Sequence, residues 1–225
     1  MDKKQYTDVL IEQAKKNNRP YEMALSDFMD YLLEFWSIEA LNGGKDHYEE
    51  YVRSHVAKNP DFAELMFVWL DDVATAQDHG QWIDVFGQLY EEMYLSRSKA
   101  AKTGQFFTPV SVSNLMSRIA TFRGEHRHTV NDCAAGSGRL LLSHFMEVSK
   151  DDHSAGRRYV YVAQDSDIIA CKMCALNMMA HGMYGAVYHM NTLTMSTPTV
   201  VYHINEARYP ISTPYYSIRA ELAKK

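Results

Sequence analysis

The first part of the chain repeats apolar residues at steps of three and four positions. In the segment 21–36, Tyr-Glu-Met-Ala-Leu-Ser-Asp-Phe-Met-Asp-Tyr-Leu-Leu-Glu-Phe-Trp, acidic residues separate apolar residues that recur at helical spacing. The same reading predicts further helices over residues 46–57, 61–76 and 81–97. We therefore predict an all-helical N-terminal domain over residues 1–98.

The hydrophobic period changes after Gly104. Short runs of β-branched and aromatic residues at 128–133 and 158–164 predict strands, and helical patterns follow them at 139–149 and 167–181. Two more strands are predicted over 187–190 and 199–204. Strands that alternate with helices are typical of a parallel, doubly wound sheet. The predicted fold class is thus α/β, with a helical N-terminal region before a partial Rossmann-like domain over residues 99–225.

The net charge of −5 is unevenly distributed along the chain. Residues 1–100 carry 10 Lys and Arg against 19 Asp and Glu, whereas residues 101–225 carry 13 against 9. A basic surplus attracts phosphate groups, although ordinary solvated surfaces also carry one. The second half is therefore the part that could contact nucleic acid, and DNA is a candidate partner.

Other compositional features exclude several classes of protein. No apolar run reaches the roughly 20 residues of a membrane span, and the start Met1-Asp2-Lys3-Lys4 does not resemble a signal peptide. We predict a cytoplasmic protein without membrane contact. Cys171 and Cys174 form a C-x-x-C within a helical pattern, but two further ligands for zinc are missing. No metal site is predicted.

A glycine-rich turn closes the first predicted strand and opens a helix. It reads Asp-Cys-Ala-Ala-Gly-Ser-Gly-Arg-Leu-Leu over residues 132–141, and Gly136 and Gly138 expose bare backbone to a ligand. Any tight turn between a strand and a helix favours glycine, so this motif alone is not specific. The second strand ends at Asp165, whose carboxylate could accept hydrogen bonds from both hydroxyls of a ribose. The alternative is a helix N-cap, which Ser166 or Asp167 could provide instead.

Four ordered motifs resemble the adenine-N6 DNA methylases of type I restriction-modification systems. Residues 84–95 and 102–116, with Gly-Gln-Phe-Phe-Thr-Pro at 104–109, look like the lead-in of these subunits. Residues 132–141 resemble the family's Asp-Pro-x-x-Gly-Ser-Gly motif, with Cys133 in place of the proline. Residues 163–182 are similar to its ribose-binding strand and the following helix, and residues 191–193 to its adenine-contacting segment. The resemblance covers about residues 84–193.

The resemblance implies S-adenosylmethionine as the cofactor. In the family, the segment corresponding to 104–109 wraps the methionine part of this molecule. The implied cofactor-binding residues are Gln105, Phe106, Phe107, Thr108, Pro109, Asp132, Ala134, Gly136, Ser137, Gly138, Asp165, Ser166, Asn191, Thr192 and Leu193.

The catalytic motif of the family is degenerate in this chain. Adenine-N6 methylases carry Asn/Asp-Pro-Pro-Tyr/Phe after the fourth strand, where it orients the amino group and holds the flipped base. Here residues 205–210 read Asn-Glu-Ala-Arg-Tyr-Pro, so Asn205 is the candidate catalytic residue and both prolines are lost. Three hypotheses follow: a DNA adenine methylase completed by another polypeptide, a non-catalytic cofactor-binding module that regulates or scaffolds a partner, and a truncation product.

The fourth strand also predicts an assembly. In the family's usual order the first strand is central and the fourth lies on its far side, so residues 199–204 would form an edge. An apolar edge favours pairing with another chain, as a homodimer or with a partner subunit, through this strand or the tail at 209–225. The alternative is that the tail, with Tyr215, Tyr216 and Ile218, folds back and caps the edge.

Overall fold

The computed structural model describes residues 2–37, 44–94, 107–120, 128–150, 159–206 and 216–223. The helices are α1 (Lys3–Lys16), α2 (Tyr21–Phe35), α3 (Gly44–Lys58), α4 (Pro60–Asp78), α5 (Val85–Tyr94), α6 (Val110–Ala120), α7 (Arg139–Ser149) and α8 (Ile168–Ala180). The strands are β1 (His128–Asp132), β2 (Tyr159–Asp165), β3 (Gly185–His189), β4 (Val200–Ile204) and β5 (Ile218–Leu222).

The N-terminal region is helical, as its sequence predicts. The side chain of Asp2 caps α1, and that of Asn59 caps α4, with Pro60 in the first turn where its missing N–H costs nothing. The core of these helices is aromatic, and its largest fully buried side chains include Tyr6, Phe28, Trp69 and Phe86. None of the helices within the described ranges is both long and apolar enough to cross a membrane.

The five strands form one mixed sheet in chain order, β1-β2-β3-β4-β5. The first three strands are parallel, so their carboxyl ends lie at the same edge of the sheet. β4 and β5 run antiparallel to their neighbours, and Val200 at the start of β4 pairs with His189 at the end of β3. The predicted class, α/β with helices followed by a partial methyltransferase sheet, is confirmed. The sheet differs from the predicted parallel arrangement in that β4 and β5 are antiparallel to their neighbours.

The predicted position of the fourth strand is wrong. β4 lies between β3 and β5 rather than beyond β1, so its edge is not exposed. The reason is the connection formed by residues 190–199, because a parallel return in the same sheet needs a crossover of about a dozen residues or more. The alternative prediction holds instead, since part of the tail forms β5, which pairs along β4 from Ile204↔Ile218 to Val200↔Leu222.

The crossover helices cover one face of the sheet. Tyr159, Tyr161 and Ala163 of β2 are buried under α7 and α8, whereas the alternate residues Val160 and Val162 are only partly buried. α2 packs on α8, and one continuous apolar core joins the N-terminal helices to the sheet. The predicted domain boundary at residue 98 lies outside the described residues.

Candidate functional site

The carboxyl ends of the three parallel strands bring together most of the predicted site residues. β1 ends at Asp132 and leads into the glycine-rich turn, β2 ends at Asp165, and β3 leads into the loop at residues 191–196. Backbone hydrogen bonds join these ends, because Ala135 N donates to Gln164 O at 3.0 Å and Met190 N to Asp165 O at 2.8 Å. In open α/β sheets ligands bind at such an edge.

The glycine-rich turn requires its glycines. Gly136 and Gly138 have φ values of 56° and 89°, which L side chains rarely adopt. A Cβ at Gly136 would lie 3.1 Å from the ring of Phe107, and a Cβ at Gly138 would lie 2.9 Å from Cys174 Sγ. The turn therefore presents backbone to the edge of the sheet while its underside is closely packed.

Asp165 is held at the centre of this edge. Its Oδ2 accepts a hydrogen bond from Gly136 N at 2.9 Å and its Oδ1 accepts one from Asp167 N at 2.9 Å. The side chain that caps α8 is Asp167, which accepts from Ile169 N. The helix-capping alternative for Asp165 is thus excluded, and a carboxylate oxygen can still accept a further hydrogen bond.

Asp132 has a buried oxygen without a partner. Its Oδ1 accepts from Ala134 N at 3.1 Å, but Oδ2 has no hydrogen-bond partner among the described residues. Burial and the nearby charge of Asp165 raise the pKa of Asp132, while the bond from Ala134 partly opposes this rise. A buried carboxylate oxygen without a donor is costly, so this atom is suited to a cationic or hydrogen-bond-donating ligand.

The loop after β3 lies against the loop after β1. Thr192 Oγ1 donates to Cys133 O at 3.0 Å, and Asn191 Oδ1 accepts from Leu193 N at 3.0 Å. Leu193 is 95% exposed. An exposed apolar side chain at this edge is suited to cover a planar ligand. Ser166 and Ala134 are also exposed at this edge.

The segment before α6 reaches the same turn from the other side. Phe107 packs beside Gly136 and makes an edge-on contact with Tyr90, with ring centroids 5.7 Å apart. Thr108 is partly buried, Pro109 is exposed, and Pro109 O accepts the first hydrogen bonds of α6. Gln105 and Phe106 lie outside the described residues.

A buried polar network beneath the turn is absent from the sequence predictions. Ser137 is among the predicted cofactor residues, but its hydroxyl donates to Asp84 at 2.5 Å and points away from the edge. Arg139 and Asn177 also donate to Asp84. The sequence held one signal, since Arg139 begins the otherwise apolar run Arg-Leu-Leu-Leu. In the structure this residue is only 5% exposed. A buried charge requires a partner.

The structure corrects the candidate catalytic role of Asn205. Because β4 is antiparallel to β3, Asn205 lies at the opposite end of the sheet from Asp132 and Asp165. Its Nδ2 donates to Met179 O and Met183 O at 3.1 and 2.9 Å, and its Oδ1 accepts from Ser217 N at 2.9 Å. All three contacts are with backbone, so Asn205 holds β4, β5 and the end of α8 together.

The C-x-x-C pair is part of the core. Cys171 and Cys174 are both fully buried, and burial raises the pKa of each thiol, which keeps both protonated at neutral pH. Within the part of the chain that the structure describes, no group of three or more His, Cys, Asp or Glu side chains could hold a metal ion.

Sequence comparison places this site in a family. A family profile described as N-6 DNA Methylase matches residues 81–224, which includes every described element of the site. The chain belongs to the N-6 DNA methylase family. The match starts just before Asp84, so the family's region of similarity includes α5 as well as the sheet.

Two relatives of this chain are named as methylase subunits of type I restriction enzymes. The type I restriction enzyme MpnII methylase subunit of Mycoplasma pneumoniae is 32% identical over 146 residues, which are 60% of this chain and 26% of that protein. The type I restriction enzyme EcoEI methylase subunit of Escherichia coli is 30% identical over 118 residues, 48% of this chain and 23% of that protein. The aligned regions thus span about a quarter of each relative.

Proposed function

We propose that this chain binds S-adenosylmethionine at the carboxyl ends of β1, β2 and β3. The observation that carries the proposal is the meeting of two carboxylates, Asp132 and Asp165, at a glycine turn with positive φ values. When bound, this cofactor supplies an electrophilic methyl group on a sulfonium sulfur. Its amino group and its ribose hydroxyls are hydrogen-bond donors, which two carboxylates complement.

The residues at the edge fit the separate parts of the cofactor. Asp132 Oδ2, which has no partner among the described residues, accepts from the ammonium group of the methionine part. Asp165 accepts from the ribose hydroxyls, and the exposed Leu193 covers the adenine. Phe107, beside Gly136, lies on the methionine side of the cofactor, as the family resemblance implies. The roles of Leu193 and Phe107 follow the resemblance to the family, and those of Asp132 and Asp165 follow the acceptor positions of their carboxylates.

We further propose that the chain is the cofactor-binding part of a DNA adenine-N6 methylase. Family membership supports this substrate, and the two relatives are named as methylase subunits of restriction enzymes. The adenine amino group needs acceptors beside the methyl donor. Asn205 lies at the far end of the sheet, so the acceptor groups are residues other than Asn205, and we propose that a subunit partner supplies them.

A second candidate function is a non-catalytic cofactor-binding module that regulates or scaffolds a DNA-modification complex. The structural use of Asn205 favours it, because the hydrogen bonds that the Asn205 side chain makes within the described residues all go to backbone groups. The two functions share the cofactor site and differ in methyl transfer.

Titration calorimetry with S-adenosylmethionine tests the shared site. Replacement of Asp165 by Ala removes acceptors for the ribose, and we expect the dissociation constant to rise at least about ten-fold, since a hydrogen bond to a charged group contributes about 1.5–3 kcal/mol. The matched control is Asp167→Asn, which removes the same charge two residues away and retains an N-cap for α8. An unchanged dissociation constant for Asp165→Ala, or no binding by the wild-type chain, contradicts the proposal.

Transfer of labelled methyl groups to mixed-sequence DNA distinguishes the two functions. We expect the isolated chain to bind the cofactor without methylating DNA, because its acceptor motif is degenerate. Methylation that appears when a subunit bearing Asn-Pro-Pro-Tyr is added supports the methylase assembly. Continued inactivity with such a subunit supports the regulatory module, and methylation by the chain alone contradicts the need for a partner.

A further inference from the structure

Asp84 lies between the N-terminal helices and the glycine-rich turn. It immediately precedes α5, and only 1% of the residue is exposed. Its Oδ1 accepts from Gly87 N and from Asn177 Nδ2, each at 2.8 Å. Its Oδ2 accepts from Ser137 Oγ at 2.5 Å and from Arg139 Nε at 2.6 Å. One carboxylate therefore joins three separate parts of the chain.

The contacts of Asp84 converge on the turn rather than on its own helix. A helix cap requires one acceptor, and Oδ1 supplies it to Gly87 N. The second oxygen accepts hydrogen bonds from the residues directly before and after Gly138. Asn177 strengthens the arrangement because its Nδ2 also donates to Ser137 O at 2.9 Å. The turn is thus held from its underside, opposite the edge proposed for the cofactor.

Arg139 extends the same network to the segment before α6. Its terminal nitrogens bind both oxygens of Glu91 on α5 at 3.0 and 2.8 Å, and Nη1 also donates to Thr108 O at 3.3 Å. Its guanidinium lies 5.3 Å from the ring centroid of Phe107. Burial alone would lower the pKa of Arg139, but its bonds with Glu91 and the charge of Asp84 raise it above the ordinary value.

Gly87 provides the space that Asp84 needs. A Cβ at Gly87 would lie 2.0 Å from Asp84 Oδ2, much closer than any real contact. The carboxylate could not move aside without losing donors, because four groups hold it. Alanine at this position therefore displaces the Asp84 carboxylate while it leaves the charge of Asp84 in place.

We propose that Asp84 is a positioning residue for the cofactor site, which fixes the turn at residues 136–138 in its ligand-binding conformation from the helical region. The inference rests on the proposed binding of S-adenosylmethionine. It has a thermodynamic consequence, since coupling between two sites is reciprocal. If Asp84 holds the turn for the cofactor, the bound cofactor also stabilises α5 against local opening.

The experiment measures cofactor affinity and stability for four variants of the full chain. Ser137→Ala removes one hydroxyl that binds Asp84, Gly87→Ala displaces the carboxylate, and Asp84→Asn removes its charge. The matched control is Tyr6→Phe, which removes a hydrogen bond with Asp72 of 2.8 Å in the helical region, far from the turn. Calorimetry gives the dissociation constant, and thermal unfolding gives Tm.

If Asp84 positions the turn, substitutions in its network weaken cofactor binding, whereas a substitution elsewhere in the helical region lowers only the stability of the fold. We expect Ser137→Ala, Gly87→Ala and Asp84→Asn to raise the dissociation constant about ten-fold or more while folded, and Tyr6→Phe to lower Tm with an unchanged dissociation constant. Hydrogen exchange gives a second readout: the cofactor slows amide exchange in Val85–Tyr94, including Gly87 N, in the wild-type chain but not in Ser137→Ala.

The outcomes distinguish this inference from the function on which it rests. Wild-type affinity in folded Ser137→Ala and Gly87→Ala overturns the inference alone, as does cofactor binding that leaves exchange in α5 unchanged. Absence of binding by the wild-type chain overturns the proposed function and the inference with it. Ser137→Ala changes a single hydroxyl, so it decides the question even where Asp84→Asn fails to fold.

Discussion

Acidification is expected to weaken the docking of the N-terminal helices through His181. This residue follows α8 and is only 3% exposed. Its Nδ1 binds Asn177 O at 2.7 Å, and its Nε2 lies 3.4 Å from Ile83 N, just before α5. These contacts require one ring nitrogen to donate and the other to accept, which is the neutral form of the ring.

The magnitude follows from the pKa of His181. Burial lowers this pKa from 6.5 to about 4, although the bond with Asn177 O and the charge of Asp84 oppose the shift. Above pH 6.5 both states are neutral and stability is complete. As the pH falls through that value, only the unfolded state binds the proton, so stability decreases until the folded ring is protonated near pH 4. The loss is about 2 kcal/mol at pH 5.

Urea unfolding at pH 7.5 and pH 5 measures this loss. Other carboxyl and histidine groups titrate in the same range, so the comparison is with His181→Gln, whose amide offers a donor and an acceptor but does not titrate. We expect the wild-type chain to lose about 2 kcal/mol more than His181→Gln between the two pH values. Equal losses in the two proteins would refute the assignment of a neutral, buried His181.

Two further substitutions test the turn and the far end of the sheet. Gly138→Ala combines a φ of 89° with a Cβ 2.9 Å from Cys174 Sγ, so we expect a loss of about 2 kcal/mol in urea unfolding, partly recovered by adding Cys174→Ala; additive losses would contradict the contact. Asn205→Ala removes this partner from Met183 O and Ser217 N, while Met179 O keeps its hydrogen bond from Gly182 N, and should cost about 2 kcal/mol without changing cofactor affinity. A large change in affinity would restore Asn205 to the site.

Most of the elements with a clear apolar period were predictable from the sequence. The helices α2 to α5 and the strands β1 to β4 follow from apolar spacing, with differences of a few residues at their ends. The helix α1 lies within the predicted all-helical region but had no predicted bounds of its own, because its buried face includes Gln13 and Ala14, which weakens the apolar pattern. The strand β5 was not predicted, although its sequence, Ile-Arg-Ala-Glu-Leu, alternates apolar and polar residues. It is short, and Ala and Glu are uncommon in strands.

The site was predictable to the extent that it depends on motifs at strand ends. Asp132, Gly136 and Asp165 come together because parallel strands end at one edge, which the predicted topology already contains. Asp84 was not predictable as a partner of Ser137, since 53 residues separate them and no local pattern records that contact. The exclusion of Asn205 likewise needed the direction of β4, which depends on how the chain returns from β3.

The contact between β5 and the end of α2 has a consequence for the order of folding. Strand order in the sheet equals chain order, so each strand forms beside the one synthesised just before it. Ile218 is an exception, because its N–H also donates to Trp36 O at 2.9 Å and it bridges Ser37. During synthesis, the end of α2 therefore cannot pair with Ile218 until about 180 further residues have been made. Until then, Trp36 lacks the ring of Tyr216 beside it and offers chaperones an apolar surface.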